Sequence, residues 1–273
     1  MTSIATAPST RRSTLGFLAG GAVGTLGGLI GLGGAEFRLP LLVGMFGLAT
    51  LPAIILNKAM SLVVVTAALI FRTGTISVAE LTPHLPVAAN LLGGSLVGAW
   101  WAAGHAIKMS RRSLDRIVMV MLLGLAILMM GEAWFGIHEV AAPLFSHPVA
   151  QISAGLAAGF GIGIVAALLG VAGGELLIPT IVLLYGLDIK TAGSISLLVS
   201  LPTMIVGFAR YRDSTAFSIL HQERSLAGWM AAGSVLGAAV GGLLLGLFPT
   251  RYLVALLGVI LLISAIKTFK HSR

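Results

Sequence analysis

The chain has 273 residues, of which 57% are hydrophobic and 10% charged, and its mean hydropathy of +1.03 excludes an ordinary water-soluble domain. Its formal charge of +8 is split among short loops rather than gathered on one surface, which argues for loops on the cytoplasmic face of a membrane and against a nucleic-acid partner. With no cysteine it forms no disulfide and carries no thiolate metal site or cysteine nucleophile.

In chain order, residues 1–14 are expected to be a cytoplasmic tail, 15–140 a first membrane repeat, 141–148 a linker and 149–270 a second membrane repeat. Arg11-Arg12 ahead of an apolar run imitates a twin-arginine or secretory signal. The same apolar run recurs inside the chain, where no signal peptide can be, so the segment is expected to stay. The first repeat predicts five helical segments: 15–32, 37–49, 53–71, 87–105 and 114–133. The second segment is short, and it comes after a glycine-rich break.

A shift of 139 residues superposes Gly20 on Gly159, Gly24 on Gly163, Gly31 on Gly170, Gly34 on Gly173, Glu36 on Glu175 and Pro40 on Pro179. It also matches Ser61-Leu62 with Ser200-Leu201, Gly94-Ser95 with Gly233-Ser234, and Arg112 with Arg251. Two unrelated apolar stretches share Leu and Ala readily, but not a Glu, a Pro and many glycines in one register. The chain therefore reads as a duplication. Five segments per copy is an odd number, so the second copy enters the membrane from the opposite side, giving inverted-topology repeats. Charge agrees with that count. Arg11-Arg12, the run from Lys108 to Arg116, then Arg210, Arg212 and Arg224, and finally Lys267, Lys270 and Arg273 all fall on one side. Arg72, Arg251, Glu80 and Glu139 fall on the other, and the first side is expected to be cytoplasmic. The first two segments of each copy either cross fully or form a re-entrant hairpin; both return the chain to the same count.

The strongest local signal is Gly31-Leu-Gly-Gly-Ala-Glu36-Phe-Arg-Leu-Pro40 with its partner Gly170-Val-Ala-Gly-Gly-Glu175-Leu-Leu-Ile-Pro179. Clustered glycine breaks a helix, and proline suits the first turn of the next. A break at membrane depth has to line protein or a watery cavity, because its free N–H and C=O groups cost several kcal/mol against lipid. The helix after the break then aims its positive N-terminal end at that cavity, a ready anion site. Gly33, Gly34, Gly173 and Gly174 are the candidate backbone donors. Glu36 and Glu175 have two readings: caps for the freed N–H groups, or carriers of a coupling proton. Arg38, Asn57 and Lys58 are the side chains best placed for an anion. Leu177 and Leu197 stand where Arg38 and Lys58 have their counterparts. Snorkelling of either cation to the interface is the competing account.

His84, His105, His138, His147, His221 and His271 lack metal-ligand spacing and fall near helix ends. Trp100, Trp101, Trp134 and Trp229 suit an aromatic belt. Ser95 and Ser234 look like small-residue helix contacts rather than nucleophiles. No phosphate-binding loop for ATP occurs.

The doubled Gly-x-Gly-Gly-x-x-x-x-x-Pro pattern, each copy followed by a short helix and a small-residue helix, resembles the sulfite exporter TauE/SafE family of bacterial membrane proteins over nearly the whole chain. Asn57-Lys58-Ala59 looks like that family's segment after the first hairpin. Ala172, at the position matching Gly33, and Ala35 depart from the pattern. The resemblance implies ATP-independent transport of small sulfur-containing or organic anions such as sulfite, sulfoacetate and other sulfonates. The reading is an all-α, polytopic inner-membrane transporter without cofactor, working by alternating access on a small anionic substrate. A passive anion channel is the alternative, and an intramembrane enzyme using Ser95 or Ser234 with a histidine is a third.

Overall fold

The computed structural model describes residues 9–30, 34–72, 81–135, 143–145, 147–244 and 250–270. Among them there is no strand. Ten helices of ten or more residues succeed one another: α1 (Ser9–Ile30), α2 (Ala35–Gly44), α3 (Thr50–Arg72), α4 (Leu85–Ala106), α5 (Arg111–Phe135), α6 (Pro148–Leu169), α7 (Gly174–Tyr185), α8 (Ile189–Tyr211), α9 (Arg224–Leu243) and α10 (Thr250–Lys270). A 3-10 turn at Thr82–His84 leads into α4, and two short turns, Thr215–Ser218 and Ile219–Gln222, separate α8 from α9.

Six of these helices, α3, α4, α5, α6, α8 and α9, are long and apolar enough to cross a bilayer. At about 1.5 Å per residue, α2 and α7 rise only about 15–18 Å, roughly half of a hydrocarbon core. Exposed large side chains such as Val97, Trp100, Trp134, Ile205 and Leu243 clothe the outside, as expected of a protein whose outer solvent is lipid.

Glycine decides which helices touch. Gly16, Gly20, Gly24 and Gly28 of α1 face Leu226, Met230, Ser234 and Ala238 of α9, both series climbing by four, so these helices run parallel. Gly94 and Gly98 of α4 meet Leu156 and Phe160 of α6, and Gly159 and Gly163 return the contact on Leu91 and Ser95. In both seams a Cβ added at the glycine would run into a backbone carbonyl, so the closeness depends on its absence. Each seam joins the first helix of one half to the fourth helix of the other. The helices α3 and α8 meet between the seams, and α5 packs on α10.

The pairs α1–α2 and α6–α7 fold back as hairpins. Gly34, at the start of α2, lies against the Val23 carbonyl, and Arg12, near the start of α1, donates to the Phe46 carbonyl just past the end of α2 at 3.5 Å. In the second pair, Gly173 lies against Ile162, and Gln151 donates to the Leu184 carbonyl at 2.7 Å. Both short helices start at a glycine with positive φ, 68° at Gly34 and 80° at Gly173, a conformation that glycine adopts without the strain a Cβ brings.

The short helices start earlier than the sequence suggests. The second segment is expected at 37–49 with Pro40 in its first turn, whereas α2 begins at Ala35, and Pro40 and Pro179 are each the sixth helical residue. The prolines therefore withdraw a backbone N–H inside each short helix instead of opening it. The reason is that the positive-φ glycine, not the proline, sets the start. The first helix likewise begins at Ser9, six residues ahead of the expected 15.

Candidate anion site between two helix starts

The break before α2 puts Glu36 and Arg38 in the first turn and a half of that helix, and the break before α7 puts Glu175 in its first turn. Neither α2 nor α7 receives a side-chain cap from its N-cap glycine. The Glu36 and Glu175 carboxyl groups are near enough to interact electrostatically, and Glu36 Oε2 is buried without a hydrogen-bond partner. The first turns of α2 and α7 thus meet. Two helix N-termini, each equivalent to roughly half a positive charge, converge there. Glu36 is 1% exposed and Glu175 6%, so water screens neither.

Arg38 is fully buried. Its guanidinium donates to the Ser61 hydroxyl of α3 at 2.7 Å and to the Ser234 hydroxyl of α9 at 3.4 Å, and its Nε has no hydrogen-bond partner. Snorkelling is excluded for this side chain, since it lies at no surface at all. In the second half, Leu177 replaces the arginine, Ser200 matches Ser61 and Ser95 matches Ser234. There the Ser95 hydroxyl pairs with Thr203 of α8 at 2.6 Å, while the Ser200 hydroxyl is buried without a partner. Arg38 thus draws its hydroxyl partners from α3 and α9, while the matching hydroxyls on α4 and α8 pair with Thr203 or stand without a partner.

Asn57 and Lys58 of α3 are also fully buried, and both are engaged. The Asn57 amide donates to the Ala35 carbonyl at 2.9 Å and to the Leu169 carbonyl at 3.0 Å. Lys58 Nζ donates to the Ala166 carbonyl at 2.9 Å, and the Tyr211 hydroxyl of α8 donates to the Ala167 carbonyl at 3.0 Å. Three of the last four residues of α6 thus have a side-chain donor on carbonyls that no further turn of helix reaches. Gly170, at φ 69°, stops α6 directly against this stretch of α3, with the Ile54 carbonyl 2.6 Å from where a Cβ would lie.

Of the expected site residues, the structure brings Gly34, Glu36, Arg38, Asn57, Lys58, Gly173 and Glu175 into one buried region, with Gly174 as the first residue of α7. Gly33 lies outside the described residues. Sequence reasoning missed Ser61, Thr203, Tyr211 and Ser234 as site groups. A signal existed for the two serines: Ser61 matches Ser200 and Ser234 matches Ser95 in the repeat register, and a hydroxyl kept in both copies of an apolar helix calls for a partner. Tyr211 gave no signal, because its partner lies 44 residues away at the end of another helix. Ser95 and Ser234 contact Thr203 and Arg38 rather than a histidine.

The family model for the sulfite exporter TauE/SafE matches residues 2–129 and 133–273. No curated protein and no solved structure shows a match. A match along almost the whole chain, joined to six bilayer-length helices around a buried polar centre, makes this protein a membrane transporter belonging to the sulfite exporter TauE/SafE family.

Proposed function

We propose that the chain is a secondary transporter, working as an exporter, of small oxyanions such as sulfite or organosulfonates across the cytoplasmic membrane by alternating access. The reading rests on one feature above all: the first turns of α2 and α7 meet in a buried centre beside the Arg38 guanidinium and the Ser61 and Ser234 hydroxyls. Positive helix ends, a cation and hydroxyl donors are the groups that replace an oxyanion's hydration shell. Gly33, Gly34, Gly173 and Gly174 supply the backbone at the two helix starts, and Asn57 and Lys58 frame the centre from α3. Glu36 and Glu175 are the candidates for carrying a coupled proton, since they are the carboxyls at that centre.

The two halves act as inverted repeats and the two hairpins as re-entrant elements. The reciprocal seams support this, because α1 on α9 and α6 on α4 are the same pairing with the halves exchanged. The hairpins also return to the ends from which they began. Rocking of one half against the other then exposes the centre to each side in turn. The cation-rich ends, among them Arg12 with its Glu223 ion pair, face the cytoplasm.

Reconstituted into proteoliposomes, the wild-type chain should move sulfite saturably, and Arg38→Gln should lower that flux by about 100-fold or more while its melting temperature in detergent stays within a few degrees of wild type. Flux that rises linearly with concentration would make the chain a channel. Unchanged flux in Arg38→Gln would remove Arg38 from the site.

A further inference from the structure

Along α8, Ser196, Ser200, Thr203 and Gly207 recur at helical spacing on one face. That face looks into the protein. Gly207 packs at Lys58 Nζ of α3 and at Ala99 of α4, Thr203 pairs with Ser95 of α4, and all three hydroxyl residues are buried. Two of the three hydroxyls also bond within their own helix: Ser196 donates to the Gly193 carbonyl at 2.8 Å and Thr203 to the Val199 carbonyl at 2.7 Å, the back-bond that serine and threonine inside a helix commonly make. Ser200 makes no such bond. It is 1% exposed, and its hydroxyl has no hydrogen-bond partner of any kind. An idle hydroxyl in a water-free interior is destabilising, and a fold that keeps one points to a partner that comes and goes.

The repeat register shows what is missing beside it. Ser200 matches Ser61, whose hydroxyl accepts from Arg38 at 2.7 Å. Where the first half has Arg38, the second has Leu177, which is buried in one apolar cluster with Val199, the neighbour of Ser200. Leu177 offers no hydrogen bond, so the place that a guanidinium takes beside Ser61 is filled by no polar group beside Ser200. Arg38 Nε–H is likewise buried without a partner. Both idle groups donate, and an oxyanion has oxygens enough to accept from a guanidinium and a hydroxyl at once.

We propose that Ser200 is a binding residue for the transported anion, its hydroxyl donating to one anion oxygen from α8 while Arg38 meets the anion from α2. The proposal rests on the transport reading above and adds a contact to the same site. It sets no limit on the anion's charge, because the added donor is neutral. Since α2 belongs to the first half of the chain and α8 to the second, the anion then touches both of the bodies that rock.

The test uses the full chain, purified in detergent and reconstituted, with sulfite as the probe and Ser196→Ala as the control for the helix preference of alanine. Ser200→Ala should raise the melting temperature of the sulfite-free protein by about 2 °C or more over Ser196→Ala, because an unpaired hydroxyl leaves the interior. The same variant should weaken the Kd for sulfite about tenfold, with the KM for flux rising in step, while Ser196→Ala binds sulfite within twofold of wild type. Gain of stability joined to loss of affinity is a pattern that a packing role does not produce. A Kd within twofold of wild type in Ser200→Ala would overturn the proposal. So would a melting temperature below that of wild type, which would show the hydroxyl already engaged in the empty protein. If Ser200→Ala gives no folded protein, Ser200→Cys, close in volume and a weak donor, decides: a loss of threefold or more in sulfite affinity supports the role, and a smaller one rejects it. Wild type that neither binds nor moves sulfite removes the transport reading and this role with it. Wild type that does both, beside a Ser200→Ala that binds equally well, removes the role of Ser200 alone.

Discussion

The two helical hairpins look alike in sequence but are held in different ways. In α6–α7, the open end of the long helix is closed by Lys58, Asn57 and Tyr211 from α3 and α8. At the matching positions of the other half stand Leu197, which has no donor, and Ser196, whose hydroxyl donates to Gly193 in its own helix at 2.8 Å. The α1–α2 hairpin instead carries the arginine, and its outer end is fixed by charge. Arg12 pairs with Glu223 at 2.8 Å, whereas Gln151 at the corresponding place reaches a neutral carbonyl. One hairpin thus carries Arg38, and the other has its long helix closed in part by Lys58. Two hairpins with the same glycine register can differ in this way because the glycines set the backbone, while single side chains on it are free to differ.

The comparison breaks first if the seams beneath the hairpins are unequal. Gly20→Val in the α1–α9 seam and Gly159→Val in the α4–α6 seam both drive a side chain into a neighbouring backbone carbonyl, of Met230 and Leu91 respectively. Each should cost about 3 kcal/mol, seen as loss of the monodisperse folded protein in detergent. A variant of one seam that folds normally while the other collapses would show that the halves do not share a packing frame.

A finer contrast lies at the two helix starts. Alanine at either positive-φ glycine adds strain of about 1–2 kcal/mol. At Gly173 the new Cβ would meet only side chains, Ile162 at 3.1 Å being the nearer, whereas at Gly34 it would press on the Val23 carbonyl at 2.5 Å. Gly34→Ala should therefore lower the thermal midpoint more than Gly173→Ala. Equal losses would mean that backbone strain alone governs both breaks.

The smallest effect concerns the long helix that succeeds each hairpin. Asp188 caps α8, accepting from the N–H groups of Lys190 at 2.9 Å and Thr191 at 3.1 Å, and the Thr191 hydroxyl, with these N–H groups, holds its carboxyl below the usual aspartate range. Ala49, at the matching position before α3, has no side-chain oxygen to offer; α3 is tied instead through the buried Thr50 hydroxyl to Asp115 of α5. Asp188→Ala should cost about 1 kcal/mol near neutral pH. Because the folded-state carboxyl titrates below its unfolded value, this contribution is present above the unfolded aspartate range and fades as pH falls through the folded value. Melting curves of wild type and variant should therefore converge in strong acid. A gap that persists there would show that the cap acts through something other than the ionised carboxylate.

Composition alone made this a membrane protein, because apolar stretches at such density have no other solvent. The repeat register and the glycine-rich motifs located both breaks, since only glycine takes the positive φ that Gly34 and Gly173 require without strain. Those signals are local: they depend on residues within one turn of each other. The partners of the cations were decided elsewhere. Lys58 and the carbonyl it serves are separated by 108 residues, and Arg38 and Ser234 by 196. From the sequence, two buried cations in one half look interchangeable. Only packing of α3 against the end of α6, and the reach of Arg38 from α2 to Ser234 of α9, gives one of them a helix end to close and leaves the other among hydroxyls. Tertiary structure made that assignment because a buried charge takes its role from the dipoles around it, and those dipoles come largely from the other half of the chain.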